Sequence, residues 1–359
     1  MDTVSPHDLR ELIVSDAELA LVDVREQGAY ARAHLLFAVC VPLSRLELLI
    51  GDLVPRDHTR VVVVDGGDGD ELAARGQRRL SELGYTNAAV LDGGVAAWQA
   101  AGFEVFSGVN VPSKAFGEFV EHTCGTPRLT AGDVKAMLDG GHDMVIVDSR
   151  PFEEYHRMNI PTATDMPGAE LAWRIHDLAP DPDTFVVVNC AGRTRSIIGA
   201  QSLINAGIPN PVAALKDGTM GWHLAGFELE RGSTREAAPP STAGRRQALA
   251  AASRVAARFG VDAVSPETVA AWLGDSDRTT YLLDVRSPAE YAAGHLPGFR
   301  HAPGGQLVQA TDEYVAVRNA TLVLADDDGV RATMTASWLM QMGWPRARKP
   351  AASPSASAR

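Results

Sequence analysis

The chain is poor in cysteine and in positive charge, and each shortage closes off a class of function. Only three cysteines occur in 359 residues: Cys40, Cys124 and Cys190. They are odd in number and far apart, with no CxxC pair and no metal-ligand spacing, so neither a disulfide framework nor a zinc site is implied. Lysine and arginine number 33 against 45 acidic residues, a formal net charge of −12. No basic face dominates such a chain, and its long-range field repels phosphate, which argues against a nucleic-acid partner. No apolar run is long enough to span a bilayer, so no membrane partner is expected. The opening MDTVSPHDLRELIV has no basic region leading into an apolar core, so no secretory signal is expected and the cytoplasm is the expected location. What remains, 45% hydrophobic and 22% charged, is the composition of a globular protein of two or three domains.

What is present is a threefold internal repeat. Ser5-Pro-His-Asp-Leu, Thr130-Ala-Gly-Asp-Val and Ser265-Pro-Glu-Thr-Val each place a hydroxyl N-cap before a helix-period run, the first two with an acid three residues on. Each helix leads to an apolar strand ending in Asp-x-Arg: Asp23 and Arg25, Asp148 and Arg150, Asp284 and Arg286. Seven residues after each aspartate stands a tyrosine, Tyr30, Tyr155 or Tyr291; forty-two residues after it a second apolar strand ends, at Asp65, Cys190 and Asp326. The first two copies then add a short strand and a Gly-rich turn into a helix carrying Trp98 or Trp222.

Strands alternating with helices imply an α/β protein whose mainly parallel open sheets are flanked by helices, one sheet per copy. The expected divisions are 1–106, a docked linker 107–129, 130–232, a flexible linker with an Ala-rich helix 233–264, and 265–345. The third copy is expected to be incomplete, lacking its last strand and helix as a truncated or frameshifted end would, with 346–359 a disordered tail.

Chemistry concentrates where Cys190 ends the strand FVVVN and opens Cys190-Ala191-Gly192-Arg193-Thr194-Arg195 before a helix pattern. Ligands of open α/β sheets sit at this edge, where a helix N-terminus offers unpaired N–H groups. Those groups stabilise a thiolate, Gly192 frees the loop to gather its amides, and Arg193 and Arg195 add cations for an oxyanion.

With its Asp-x-Arg, its six-residue cysteine loop and its Gly-x-x-x-x-Trp segment, the repeat resembles the rhodanese homology domain, in tandem over nearly the whole chain. Two departures stand out: glycine is third in the loop where many members place it fourth, and HRMNIPTA lacks the usual Gly-His. The resemblance implies a sulfurtransferase in which Cys190 takes a sulfane sulfur from a small-molecule donor such as thiosulfate, holds it as a persulfide and passes it to cyanide or a thiol. A protein acceptor is left open, and no cofactor is implied. Ala191, Gly192, Arg193, Thr194 and Arg195 would bind substrate, and Asp148 with Arg150 would form a structural ion pair.

Two alternatives stand beside this reading. One is a cysteine phosphatase or arsenate reductase, whose loop needs Cys-x5-Arg where this chain has Cys-x4-Arg. The other is a non-catalytic interaction scaffold, because the first and third copies place Asp65 and Asp326 at the cysteine position. Lesser candidates are a cation site on those acidic loops (65–70 and 326–331), Cys124 as a second thiol, and Glu170, Arg174 and His176 on one helix, with a solvated face as their default. Cys40 is expected to be buried, and the two tryptophans to be core.

Overall fold

The computed structural model describes residues 2–69 and 71–351. Each repeat folds around its own parallel sheet. In the middle repeat the strand order is Arg128–Leu129, Val212–Leu215, Phe185–Asn189, Met144–Asp148, Thr164–Asp165. The first repeat has the same order: Thr3–Val4, Ala88–Leu91, Val61–Val64, Leu19–Asp23, Val39–Cys40. Its sheet gains Val317–Arg318 from the third repeat, antiparallel to Leu19 and Ala20. Central strands such as Val61–Val64 are fully buried and uniformly apolar, as helices on both faces require.

The repeated residues have repeated structural tasks. Each Asp-x-Arg arginine forks onto its own aspartate and donates to a carbonyl eight residues ahead: Ala33, Met158 or Gly294. Each repeated tyrosine donates to the backbone carbonyl eight residues on, Ala38, Ala163 or Phe299. The opening helices are capped by Ser5, Thr130 and Ser265. Trp98 and Trp222 are buried, each indole N–H bonded to a carbonyl six residues ahead, Glu104 or Glu228.

Three expectations are corrected. Ala347–Pro350, expected to be tail, is the strand that sits between Ala263–Val264 and Thr321–Ala325 and completes a five-stranded sheet. Its polar lettering hides it, because backbone pairing on both sides, through the Arg346 and Asp262 carbonyls among others, holds it in place of side-chain periodicity. The rest of that tail, 352–359, lies outside the described residues, as does Asp70. Residues 233–240 are docked, with Ser233 bonded to Tyr155 at 2.7 Å and Ala237 buried. Glu170, Arg174 and His176 are no solvated face: Glu170 is 5% exposed and pairs with Arg174 at 2.7 Å and with Arg331 of the third repeat at 2.9 Å.

The repeats pack closely. Gly168 of the middle repeat lies against Gly305 of the third so tightly that a Cβ on Gly305 would come within 3.0 Å of the Gly168 nitrogen. Helix Thr242–Phe259 buries Ala248, Ala251, Ala252 and Val255 against helices of the second and third repeats. The segment between the first two repeats forms helix Val111–Cys124, which packs along helix Thr194–Ala206. Among the described residues no helix is long and apolar enough to cross a membrane.

Candidate active site

Cys190 follows strand Phe185–Asn189 and is 2% exposed; helix Thr194–Ala206 begins four residues later. The loop is pinned from the opposite side by helix Gly218–Leu224. Thr219 donates both its N–H (2.8 Å) and its hydroxyl (3.1 Å) to the Cys190 carbonyl, and Met220 N–H donates to Ala191 at 3.0 Å. Asn189 ties this contact to the Asp-x-Arg pair by donating to Asp148 at 2.8 Å and to Thr219 at 3.0 Å. Asp148 and Arg150 form a fully buried pair at 2.7 Å.

The loop amides matter most. From Ala191 to Ser196 no backbone N–H has an acceptor among the described residues. The third repeat reveals what such amides hold. There the Asp326 carboxylate accepts from Gly329 at 2.6 Å, Arg331 at 2.8 Å and Ala332 at 3.3 Å, three, five and six residues on. In the first repeat Asp65 accepts from Gly67 at 3.0 Å and Ala73 at 2.9 Å. Both sister loops thus fold around an anion of their own. In the middle repeat the amides of Arg193, Arg195 and Ser196 correspond to those that Asp326 fills, and they stand open beside the cysteine. Asp65 and Asp326 serve backbone amides and Asp327 pairs with Arg286, and no cluster of His, Cys, Asp and Glu able to hold a metal occurs among the described residues.

The two arginines are placed differently from the sequence expectation. Arg193 turns to the linker helix, pairing with Glu118 at 2.7 Å and with Glu121. Arg195 forks onto Glu154 at 2.7 and 2.8 Å. Burial pulls the Arg195 pKa down, but Glu154, and behind it the charge of Cys190, raise it above the ordinary arginine value. Neither guanidinium is a free oxyanion clamp, because each is already claimed by a carboxylate, and the open anion sites are backbone amides. The third repeat has the same pairing, Arg331 with Glu290, at the same sequence separation.

Gly192 is also corrected as the special glycine. It has no left-handed φ, and nothing lies within 4 Å of where its Cβ would be. The constrained position is Gly218, at φ +54, where a Cβ would meet the Cys190 carbonyl at 2.4 Å and the Gly192 carbonyl at 2.6 Å. The signal was available in the sequence, since LDGG and LKDG recur at this turn in the first two copies. Gly218→Ala is expected to lower turnover at least about tenfold by displacing the loop. A steady-state assay beside a circular dichroism spectrum checks this; unchanged turnover would mean that the loop tolerates the shift.

Asp165, whose backbone pairs with Asp148, is 4% exposed, and its Oδ1 has no partner. Burial, with Asp148 and Glu236 adding to it, pushes its carboxyl from 3.8 up to about 8. The folded chain therefore holds this proton more tightly than the unfolded chain does. Its contribution to stability is full below the unfolded value near 3.8 and declines, by at most about 1.4 kcal/mol per pH unit, as pH rises toward the folded value near 8. Asp165→Asn is expected to flatten that decline and raise the melting temperature at alkaline pH, as thermal scans across pH would record.

Of the other cysteines, Cys40 is half-buried, with burial pushing its thiol up to about 12, and Cys124 is exposed at the end of the linker helix.

Comparisons with known proteins agree with this geometry. The family described as rhodanese-like domain matches three times, over residues 5–101, 130–225 and 265–348. A crystal structure of a thiosulfate sulfurtransferase from Pseudomonas aeruginosa superposes with a TM-score of 0.96 at 54% identity, covering all of this chain and 68% of that one. A thiosulfate sulfurtransferase from Azotobacter vinelandii is 26% identical over 231 residues, 54% of this chain and 83% of its own length. An HTH-type transcriptional regulator, Rv0324, from Mycobacterium tuberculosis is 35% identical over 111 residues, which is 30% of this chain and 48% of the regulator.

Proposed function

The chain belongs to the rhodanese-like domain family, in three tandem copies, and from that premise we propose that it is a sulfurtransferase carrying sulfane sulfur on Cys190. The observation that carries the reading is the open set of amides at Arg193, Arg195 and Ser196, in the loop geometry that holds a carboxylate in the third repeat.

The chemistry is a two-step displacement. The Cys190 thiolate attacks the outer sulfur of thiosulfate; the S–S bond of the donor breaks, and sulfite leaves with the bonding pair. The persulfide so formed keeps its negative charge on the terminal sulfur, where loop amides and the helix N-terminus stabilise it. Cyanide, or a thiolate, then attacks the terminal sulfur. The persulfide S–S bond breaks, thiocyanate or a new persulfide departs, and the Cys190 thiolate returns. Arg195, locked to Glu154, acts as a fixed cation beside the loop. A phosphatase reading is not favoured: the loop is Cys-x4-Arg, one residue shorter than the Cys-x5-Arg that wraps a tetrahedral oxyanion, and thiosulfate sulfurtransferases are among the relatives.

The first and third repeats, lacking the cysteine, are partners of the middle one. The third supplies Gln306, whose Oε1 accepts from Arg195 at 3.4 Å. The deciding experiment is intact-protein mass spectrometry after thiosulfate treatment. The expected result is a gain of one sulfur that cyanide removes as thiocyanate. A mass gain that cyanide cannot remove is oxidation and counts against the proposal.

A further inference from the structure

Arg318 is a cation without a counter-ion at the junction of the first and third repeats, outside the cysteine loop. It ends strand Val317–Arg318, paired to Leu19–Ala20, and its guanidinium carbon lies 3.6 Å from the centre of the Phe37 ring. The ring supplies cation–π attraction but accepts no conventional hydrogen bond. Arg318 takes part in no ion pair among the described residues, and its Nε is buried without an acceptor. Burial lowers its pKa, and no neighbouring acid offsets the effect. The buried Arg25, Arg150 and Arg331, by contrast, each hold a carboxylate.

Arg318 lines a cavity of about 240 Å³ formed by three parts of the chain. Phe37 comes from the first repeat, Phe116 from the linker helix, and Val315, Met342 and Trp344 from the third repeat. Asp312 also lines it but makes no ion pair with Arg318; burial pushes its carboxyl up to about 6. A largely apolar cavity at a domain junction, with an unpaired guanidinium and a carboxyl that burial inclines toward its neutral form, has the composition of a ligand site, and its size suits a small occupant.

We propose that this cavity binds a small carboxylic acid with an apolar body, its carboxylate on Arg318 and its body between Phe37, Phe116 and Trp344. The guanidinium is a planar fork that matches a carboxylate, and pairing offsets the cost of leaving a half-buried charge without a counter-ion. The apolar walls favour such a molecule over a bare inorganic anion, which would lose its hydration and gain nothing from them.

The test is titration of the full chain with 3-phenylpropionate, followed by calorimetry and by intrinsic tryptophan fluorescence, to which Trp344 in the cavity wall contributes. Saturable one-to-one binding is expected, at least about tenfold tighter than that of 3-phenylpropanamide, which has the same shape without the charge. Arg318→Met should weaken the acid by a similar factor and leave the amide unchanged. Ala115→Trp, which fills the rim without touching the charge, should weaken both, and it serves if Arg318→Met does not fold. Absence of saturable binding, equal affinity for acid and amide, or unchanged affinity in a folded Arg318→Met chain overturns the proposal. None of these results bears on sulfur transfer at Cys190.

Discussion

Cys190→Ser is expected to reduce sulfur transfer from thiosulfate to cyanide by at least about 10³-fold while leaving the thermal unfolding transition in place. The loss follows from the chemistry of the bond. Transfer requires a sulfur nucleophile that forms an S–S bond and later serves as its leaving group, and a serine hydroxyl is neither acidic enough nor able to hold a sulfane sulfur. The fold survives because the loop is held by its backbone: Cys190 and Ala191 offer carbonyls to Thr219 and Met220. Neither remaining cysteine can substitute. Cys40 has its thiol pushed up to about 12 by burial, so it stays protonated, and Cys124 is exposed at the end of the linker helix, outside the cysteine loop. Cys40→Ser and Cys124→Ser should therefore retain near-native rates. The measurement is thiocyanate formation for all three variants. Substantial activity in Cys190→Ser, or loss in Cys124→Ser, would move the reaction to another residue.

The largest expected effect on stability comes from Arg331→Met. Arg331 is fully buried and serves two repeats at once: it donates to Glu170 of the middle repeat at 2.9 Å and to Glu290 of its own at 2.8 and 3.0 Å, and it lies over the Trp173 ring at 4.1 Å. Methionine fills much of the volume but leaves Glu170, itself 5% exposed, facing Glu290 without a cation between them. Removing one member of a buried charge network costs about 3–5 kcal/mol, and the lower figure is expected here because Glu170 keeps its pair with Arg174 at 2.7 Å. Urea unfolding followed by tryptophan fluorescence reads the loss, since Trp173 and Trp338 both lie at this junction. A change in midpoint too small to measure would mean that the two glutamates take up protons or water at little cost. The same network carries an acid signature. Burial pushes the Glu290 carboxyl up, but hydrogen bonds from Arg331 and Ser287 outweigh it and hold it at about 2. Its contribution is present above the unfolded value of 4.5 and is lost as pH falls from there toward 2, a dependence that Arg331→Met should weaken, since the Ser287 hydrogen bonds remain.

Much of the site was visible in the chain because a repeat supplies its own controls. Aligning three copies isolates Cys190 as the position where the other two carry Asp65 and Asp326, and identifies the strand end that presents it. The partners were not visible. Arg193 and Arg195 read as cations for a substrate, yet they are claimed by Glu118 and Glu121 of the linker helix and by Glu154. Sequence spacing carries no information on which carboxylate a long, flexible arginine meets. The glycine that matters stands opposite the loop, at Gly218; its recurrence in LDGG and LKDG was legible, but its close approach to the Cys190 and Gly192 carbonyls was not.

The sequence by itself determined the tandem α/β architecture, the capped helices that open each copy, the Asp-x-Arg pair and the strand end where Cys190, the proposed sulfur carrier, stands, because these depend on local periodicity and fixed spacing. Only the tertiary structure decided what lies between the copies. Backbone pairing placed Ala347–Pro350 as a central strand against its polar lettering, and contacts between repeats brought Arg331 to Glu170 and Gln306 to Arg195. The two side-chain contacts join residues more than a hundred positions apart, where packing and the need to pair buried charges select partners that no local pattern encodes.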